Sequence, residues 1–189
     1  MKKLIIILLS LSLLFGLAAC VPKQKPQTPV EEPSEEPAEI PAEGPAEEPI
    51  EDQTVDVLLY FGNNEYIVTG DEQYERMMEE TQEITYGGDV CLEEAVVRAL
   101  MAGPEDTELM STGFTETIKL NSVEVFDGTA YVDFASDGLH GGSMQESYII
   151  SQVVMSLTNL DSVDSVMFLV DGQEAETLMG HISIEEPMR

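Results

Sequence analysis

Prolines recur at every fourth position between residues 29 and 49, and this repeat decides where the chain can fold. Glutamates lie between them in VPKQKPQTPVEEPSEEPAEIPAEGPAEEPIEDQ, residues 21–53. A proline removes a backbone donor, so neither a helix nor a sheet ladder continues through such a stretch. Repulsion between like charges also favours an extended chain. We therefore predict a disordered acidic spacer within residues 20–53 and one folded domain over residues 54–189.

The residues before the spacer have the features of an export signal. MKKLIIILLSLSLLFGLAAC begins with two lysines, continues through an uncharged apolar run and ends in small residues before Cys20. This order predicts a secretory signal peptide over residues 1–19. The apolar run, residues 4–17, is shorter than the roughly 20 residues that span a bilayer comfortably. An uncleaved anchor helix is the alternative.

Leu17-Ala18-Ala19-Cys20 resembles the lipobox of bacterial lipoproteins, in which the cysteine is lipidated and becomes the mature N-terminus. Two or more acyl chains anchor a protein stably. We therefore predict lipidation of Cys20 and attachment to the cell membrane, facing the extracytoplasmic side. Cys91 would then be the remaining thiol, so no intramolecular disulfide is expected. We predict Cys91 to be a semi-buried residue on a helix.

The charge of the predicted domain limits its partners. Residues 54–189 contain 27 acidic and four basic residues, which gives a net charge of −23. Nucleic acid and anionic lipid headgroups are poor candidates, because proteins that bind phosphates present a basic face. Basic proteins or divalent cations suit this field better. A small-ligand or cation sensor is therefore one of the open hypotheses.

The first part of the domain predicts strands. TVDVLLYF, residues 54–61, alternates apolar side chains as a half-buried strand does, and EYIVTG, residues 65–70, would follow it after a turn at Gly62-Asn63. EQYERMMEETQEIT predicts a strand from about residue 77 to residue 85. Its glutamate content would equally allow a helix.

Two amphipathic helices are predicted further along. GDVCLEEAVVRALMAGP would begin with Asp89 as the N-cap and stop at Gly103-Pro104. The second helix would run from Ser143 to about Asn159. The apolar residues of each share one helical face, which for the first are Leu92, Ala95, Val96, Ala99 and Leu100, and for the second Ile149, Ile150, Val153, Val154 and Leu157.

Two Asp-Gly pairs predict hairpin turns. Asp127-Gly128 separates the alternating runs of IKLNSVEVFDGTAYVDFA, and Asp171-Gly172 follows the apolar run SVMFLV. Strand pairs separated by two amphipathic helices predict an α+β fold. We expect one mixed β-sheet with both helices packed on one face.

The stretch GLHGGSMQES suggests two alternatives for Ser143. Ser143 and Glu146 have the spacing of a capping box at the start of the second helix. A nucleophilic serine would instead need a base and a third residue that orients the base, for which His140, Asp133 and Asp137 are the nearby residues. Gln145 occupies the position where a nucleophile elbow has glycine, which favours the cap.

No metal or cofactor is expected. His181 has no suitably spaced ligand beside it for zinc. A calcium loop starting at Asp133 would place Ala135 and Met144 at ligand positions, so this pattern fails.

Several segments together resemble the GerMN domain of sporulation and germination proteins. EEAVVRALMAGP, VFDGTAYVDFAS and GGSMQESYIISQVVMSLTNLDSVDSVMFLVDG carry the resemblance, which extends from about Val55 to Met188. Family members are exported lipoproteins or wall-associated proteins with no accepted catalytic residues. The resemblance therefore implies a role in sporulation, germination or the cell envelope, and a structural role for the stops, caps and turns.

The leading hypothesis is a non-enzymatic surface lipoprotein whose domain binds another envelope or sporulation protein. The sheet edge and the loop of residues 138–143 are the predicted contact surfaces. The alternative is a peptidoglycan-binding module or a hydrolase that uses Asp133 and Asp137 as acid and base, since glycosidic cleavage needs two carboxyl groups about 5 to 9.5 Å apart.

Overall fold

The computed structural model describes residues 52–189, so the predictions on the signal peptide, on Cys20 and on the spacer up to residue 51 lie outside the described residues. Helices and strands alternate in a mixed order along this part of the chain. They are β1 (Gln53–Asn63), α1 (Asn64–Thr69), β2 (Met77–Tyr86), α2 (Leu92–Ala102), β3 (Met110–Ser111), β4 (Leu120–Phe126), β5 (Thr129–Phe134), α3 (Ser143–Leu157), β6 (Ser165–Val170) and β7 (Gln173–Glu174).

The strands form two sheets. The first has the order β2-β1-β3 and is antiparallel throughout. The second has the order β4-β5-β6-β7 and is mixed, because β5 and β6 run parallel while the outer pairs are antiparallel. Helix α3 is part of the connection between the parallel strands, as such a crossover requires. The predicted α+β class is therefore confirmed.

The prediction of one sheet with both helices on one face is wrong. Helix α3 contacts β1 of the first sheet and β6 of the second, and α2 contacts β1, β2 and β4. The backbone amide of Tyr60 in β1 donates to the hydroxyl of Ser156 in α3, at 3.0 Å. In a continuous sheet this β1 amide would donate to another strand, whereas here it donates to a helix. Both helices pack against both sheets.

The strand predicted from EYIVTG is also wrong, because these residues form most of α1. The side chain of Asn63 accepts a hydrogen bond from the amide of Glu65, which caps the helix. Gly70 ends it in a left-handed conformation, with φ of 64°. Val68 is 83% exposed, so this short helix does not bury its β-branched residues as a strand of the sheet would.

The region from residue 77 to residue 85 forms a strand as predicted, and the helical alternative is excluded. Strand β2 pairs with β1 from Gln53 opposite Tyr86 to Gly62 opposite Met77. Its other edge has no strand partner among the described residues. Glutamates at positions 79, 80 and 83 are tolerated there, because charged side chains are common on edge strands.

Helix α2 begins later than predicted. Its N-cap is Cys91 and not Asp89, because Gly87 and Val90 exchange backbone hydrogen bonds and hold Asp89 in a tight turn before the helix. Cys91 is exposed and lies outside the helix, so the semi-buried helical position predicted for it is wrong. At the other end Gly103 is the C-cap, with φ of 101°, and its amide donates to Ala99. Pro104 follows directly.

Both Asp-Gly pairs form two-residue connections between antiparallel strands. Asp127 and Gly128 have φ of 50° and 75°, and Asp171 and Gly172 have φ of 51° and 74°. Two successive positive φ angles match the right-handed twist of the flanking strands, and aspartate followed by glycine adopts them readily.

Gly138 and Gly172 form a matched pair for a stability test. Both have positive φ, but a methyl group on Gly138 would meet the backbone carbonyl of Thr117. A methyl group on Gly172 would have no atom within 4 Å. We expect Gly172→Ala to lower the free energy of unfolding by about 1 to 2 kcal/mol, the cost of a left-handed alanine. Gly138→Ala should cost clearly more, as measured by denaturant unfolding. Equal losses would show that the loop of residues 138–143 yields without cost.

Candidate functional site

Asp133 occupies a structural position at the end of β5. It is 7% exposed. One carboxylate oxygen accepts a hydrogen bond from the side chain of Asn121 at 3.0 Å, and the other accepts from the amide of Gly172 at 2.8 Å. Because both oxygens are engaged, this carboxylate fixes the turn between β6 and β7 to the end of β5.

Asp171 completes this connection from the opposite side. Its amide donates to the carbonyl of Phe134 at 2.9 Å, and its carboxylate accepts from the amide of Ser136 at 3.1 Å. Hydrogen bonds from the side chain and the amide of Ser136 lower the pKa of Asp171. The two aspartates therefore act as a reciprocal clamp between the end of β5 and the β6–β7 turn.

Asp137, the other carboxylate of the hydrolase alternative, lies in a different environment. Its side chain is 94% exposed and pairs with the amino group of Lys119 at 3.7 Å. Neither Asp133 nor Asp137 lines the grooves described below.

The capping box predicted for Ser143 and Glu146 is wrong. Gly142 is the N-cap of α3, no side chain caps the helix, and Ser143 is the first helical residue. Glu146 is fully buried and accepts hydrogen bonds from the amides of Met179 at 2.8 Å and His181 at 2.9 Å. The C-terminal segment crosses the start of α3 at this point, so its amides take the carboxylate that a capping box would direct to the helix start.

The two histidines lie on the surface. His140 is exposed, and no hydrogen bond joins it to Ser143 within the described part of the chain. A ring nitrogen of His181 lies 3.2 Å from the carbonyl oxygen of Gly141. Within residues 52–189, no group of three or more histidine, cysteine or acidic side chains is arranged to hold a metal ion.

The segment between β3 and β4, residues 112–119, crosses α3, and we call it the strap. The amide of Gly113 donates to the side-chain oxygen of Gln152 at 2.7 Å, and its carbonyl accepts from the side chain of Gln145 at 3.0 Å. A methyl group on Gly113 would lie 3.1 Å from the backbone nitrogen of Ile149, so the strap lies directly on the helix. The strap and α3 line a groove of about 490 Å³, which we call the strap groove. Met144 and Tyr148 are among the α3 residues that line it.

Arg76 lies between two aromatic rings beside this groove. Its guanidinium carbon is 5.7 Å from the ring centroids of both Tyr66 and Tyr148, within the range of cation–π attraction. One guanidinium nitrogen donates to the hydroxyl of Ser147 at 3.2 Å. The Tyr148 hydroxyl is buried and has no hydrogen-bond partner among the described residues. Burial raises the pKa of Tyr148, and the nearby positive charge of Arg76 opposes this effect.

A second groove lies next to Arg76 and has a volume of about 630 Å³. We call it the methionine groove. Its lining residues come from the second half of β1, the residues just before β2, the start of β2 and the last turn of α3. They are Tyr60, Glu75, Arg76, Met77, Met78, Glu79 and Met155. Sequence reasoning did not find this surface. The adjacent methionines 77 and 78 were the available signal, because in a strand one of two neighbours faces away from the core.

The arrangement of these elements is that of a GerMN domain. The first GerMN domain of the sporulation protein GerM from Bacillus subtilis has a TM-score of 0.51 to this structure at 22% identity, over 71% of this chain and 96% of that one. The tandem GerMN domains of the same protein have a TM-score of 0.46 at 21% identity, over 71% and 45%. A proposed lipoprotein from Clostridium perfringens has a TM-score of 0.48 at 24% identity, over 71% and 86%.

The sequence identifies the family. Residues 58–176 match the Germane family, described as sporulation and spore germination, and the chain belongs to this family. No match is found among curated proteins. The segment that Glu146 holds, around residues 179–181, lies outside the matched range. Within residues 52–189, no helix is long and apolar enough to cross a membrane.

The buried position of Glu146 predicts a large effect of a small change. In Glu146→Gln one amide of the C-terminal segment would face the side-chain NH₂ group in place of an acceptor. An unsatisfied buried donor costs about 1 to 3 kcal/mol, and we expect the free energy of unfolding to fall by that amount. Denaturant unfolding measures it. Glu116→Gln, at an exposed position, is the control and should change stability by less than about 0.5 kcal/mol. Equal stabilities of the two variants would contradict the buried role of Glu146.

Proposed function

We propose that this chain is a lipid-anchored extracytoplasmic protein whose GerMN domain binds another envelope or sporulation protein and has no catalytic role. The leader, the lipobox-like Leu17-Ala18-Ala19-Cys20 and the Pro/Glu spacer support export and anchoring. The membership of the family supports a process in sporulation, germination or the envelope.

The proposal rests mainly on the buried carboxylates, because their oxygens form structural hydrogen bonds. Asp133 and Glu146 are buried, and each gives both carboxylate oxygens to structural donors. A general acid or base must reach the reacting group within hydrogen-bonding distance. The methionine groove is lined by methionine, tyrosine and arginine, which are enriched at protein interfaces, together with Glu75 and Glu79.

The hydrolase alternative makes a different demand on Asp133. Inverting and retaining glycosidases need two carboxyl groups that face one bond across a cleft. Asp133 binds the side chain of Asn121 and the amide of Gly172, while Asp137 pairs with Lys119 on the surface. This placement favours binding over catalysis.

The proposed anchor is tested by the two cysteines of the chain. Cys20→Ser removes the acyl acceptor, so we expect the protein to leave the membrane fraction for the soluble fraction, because stable attachment requires the acyl chains. Cys91→Ser alters the exposed thiol before α2 and is the matched control, which should stay with the membrane. Fractionation and immunoblotting measure both. A Cys20→Ser protein that remained membrane-bound would contradict lipid anchoring.

The binding role is tested with the full chain as bait in detergent-solubilised envelopes from growing and sporulating cells. Residues 20–53 alone serve as the control bait, because their charge collects basic proteins without specificity. We expect a saturable protein partner that the full chain retains and the spacer does not. Its capture should persist at about 0.15 M salt, where the Debye length is about 8 Å.

Recovery of the same proteins by both baits, at all growth stages, would refute the binding role. Recovery of wall fragments alone would transfer the proposal to peptidoglycan.

A further inference from the structure

The methionine groove is formed where the first sheet meets α3. The pairing of β1 with β2 places Glu79 opposite Tyr60 and Met78 opposite Phe61. Helix α3 brings Met155 to the same place from a distant part of the chain. Phe61 is fully buried, whereas Met77 and Met78 are half-buried. Met78 packs against the core, whereas Met77 and Met155 do not, so the core ends at this point and these two thioether side chains are open to solvent.

Met155 is the exposed residue in the C-terminal half of α3. Residues Val153, Val154, Ser156 and Leu157 around it are buried, but Met155 is 38% exposed. Methionine is flexible and polarisable, and clusters of it line surfaces that adapt to apolar side chains of a partner. The floor of the groove therefore suits an apolar anchor.

The rim of the groove is acidic. Glu75 and Glu79 line it, and an adjoining groove that shares Glu75 and Arg76 adds Glu72. Arg76 is the cation at this place, and its guanidinium lies between the rings of Tyr66 and Tyr148 and donates to Ser147. The three carboxylates therefore outnumber the one cation, which already has partners within the domain. The whole domain has 27 acidic and four basic residues.

We propose that the methionine groove binds a cationic amphipathic segment of the partner protein. An apolar side chain of that segment would enter between Met77 and Met155, and its lysines or arginines would lie against Glu75 and Glu79. The inference rests on the proposed function, because it names the surface and the chemistry of the partner.

Charge complementarity selects this occupant over the others. A second copy of the chain would bring the same excess of carboxylates to the groove, and like charges oppose such a contact. An anionic ligand meets the same repulsion. A cationic segment gains attraction from the whole domain before contact, which accelerates association, and gains apolar burial after it.

Defined peptides test the inference without knowledge of the natural partner. The probe is a labelled peptide of about 18 residues, made of lysine and leucine with the leucines at i, i+3, i+4 and i+7, so that one helical face is apolar. One control peptide has the same composition in scrambled order, and another has glutamate in place of lysine. Fluorescence anisotropy with the purified full chain should show binding of the amphipathic cationic peptide, weaker binding of the scrambled peptide and none of the acidic peptide.

Met155→Glu separates apolar contact from general attraction. The change adds a negative charge, which would strengthen purely electrostatic binding of a cation. We expect it to weaken binding about tenfold, because the anchor loses its apolar contact. Met144→Glu is the matched control, since Met144 is also an exposed methionine of α3, at 54% exposure, but lines the strap groove. It should bind at least as tightly as the parent chain, and unfolding curves of both variants show whether the fold is kept.

The rim is tested with two double variants that have the same net charge. Glu75→Gln with Glu79→Gln should weaken binding about threefold at low salt, as for two exposed ion pairs. Glu108→Gln with Glu116→Gln removes two exposed carboxylates elsewhere and should have a smaller effect.

Three results would overturn the methionine groove as the site: equal binding of the ordered and scrambled peptides, equal effects of Met155→Glu and Met144→Glu, or equal effects of the two glutamine pairs. The proposed function is judged separately. A partner that the full chain captures from envelopes, and that Met155→Glu still captures, would uphold the binding role and refute this groove. Failure to capture any partner would refute the binding role itself.

Discussion

The burial of α3 between two sheets is the constraint on which the domain depends. Three polar side chains of this helix, those of Glu146, Gln152 and Ser156, are completely buried. A buried polar group is costly unless it is hydrogen-bonded, and here each one accepts a backbone amide from a different segment. Ser156 binds an amide of β1, Gln152 binds an amide of the strap, and Glu146 binds amides of the C-terminal segment. The helix therefore sets the positions of three chain segments that never pair with one another.

This arrangement explains which parts of the fold were predictable from the sequence. Local patterns were sufficient for the apolar stripe of α3, the two Asp-Gly turns and the α+β class. They were insufficient for the number of sheets, because an apolar stripe reports one buried face, whereas polar residues widen the buried surface of α3 to contact both sheets. The partner of a buried polar side chain lies far along the chain, as Met179 lies 33 positions after Glu146.

The errors at helix starts have a related cause. Ser143 and Glu146 have the spacing of a capping box, in which the glutamate accepts a hydrogen bond from the amide at the helix start. Here the C-terminal segment covers the first turn of α3. The carboxylate of Glu146 therefore accepts from the amides of Met179 and His181 and not from an amide at the helix start. In α1 the opposite occurred, since the β-branched run Ile67-Val68-Thr69 favours a strand but the side-chain cap at Asn63 and the left-handed Gly70 select a short helix. Local capping geometry overrode propensity in one case and tertiary packing overrode the cap in the other.

The candidate site was less predictable than the fold, because its residues are joined by the β1–β2 register and by α3. Neither Tyr60 nor Met155 belongs to a sequence motif, and their proximity depends on the hydrogen bond between Tyr60 and Ser156. The same contact that positions the core helix therefore leaves Met155 at the surface beside the acidic rim. A change that shifted α3 along β1 would alter the core and the methionine groove together. The stability of the domain and the shape of its proposed binding surface are thus consequences of one packing arrangement.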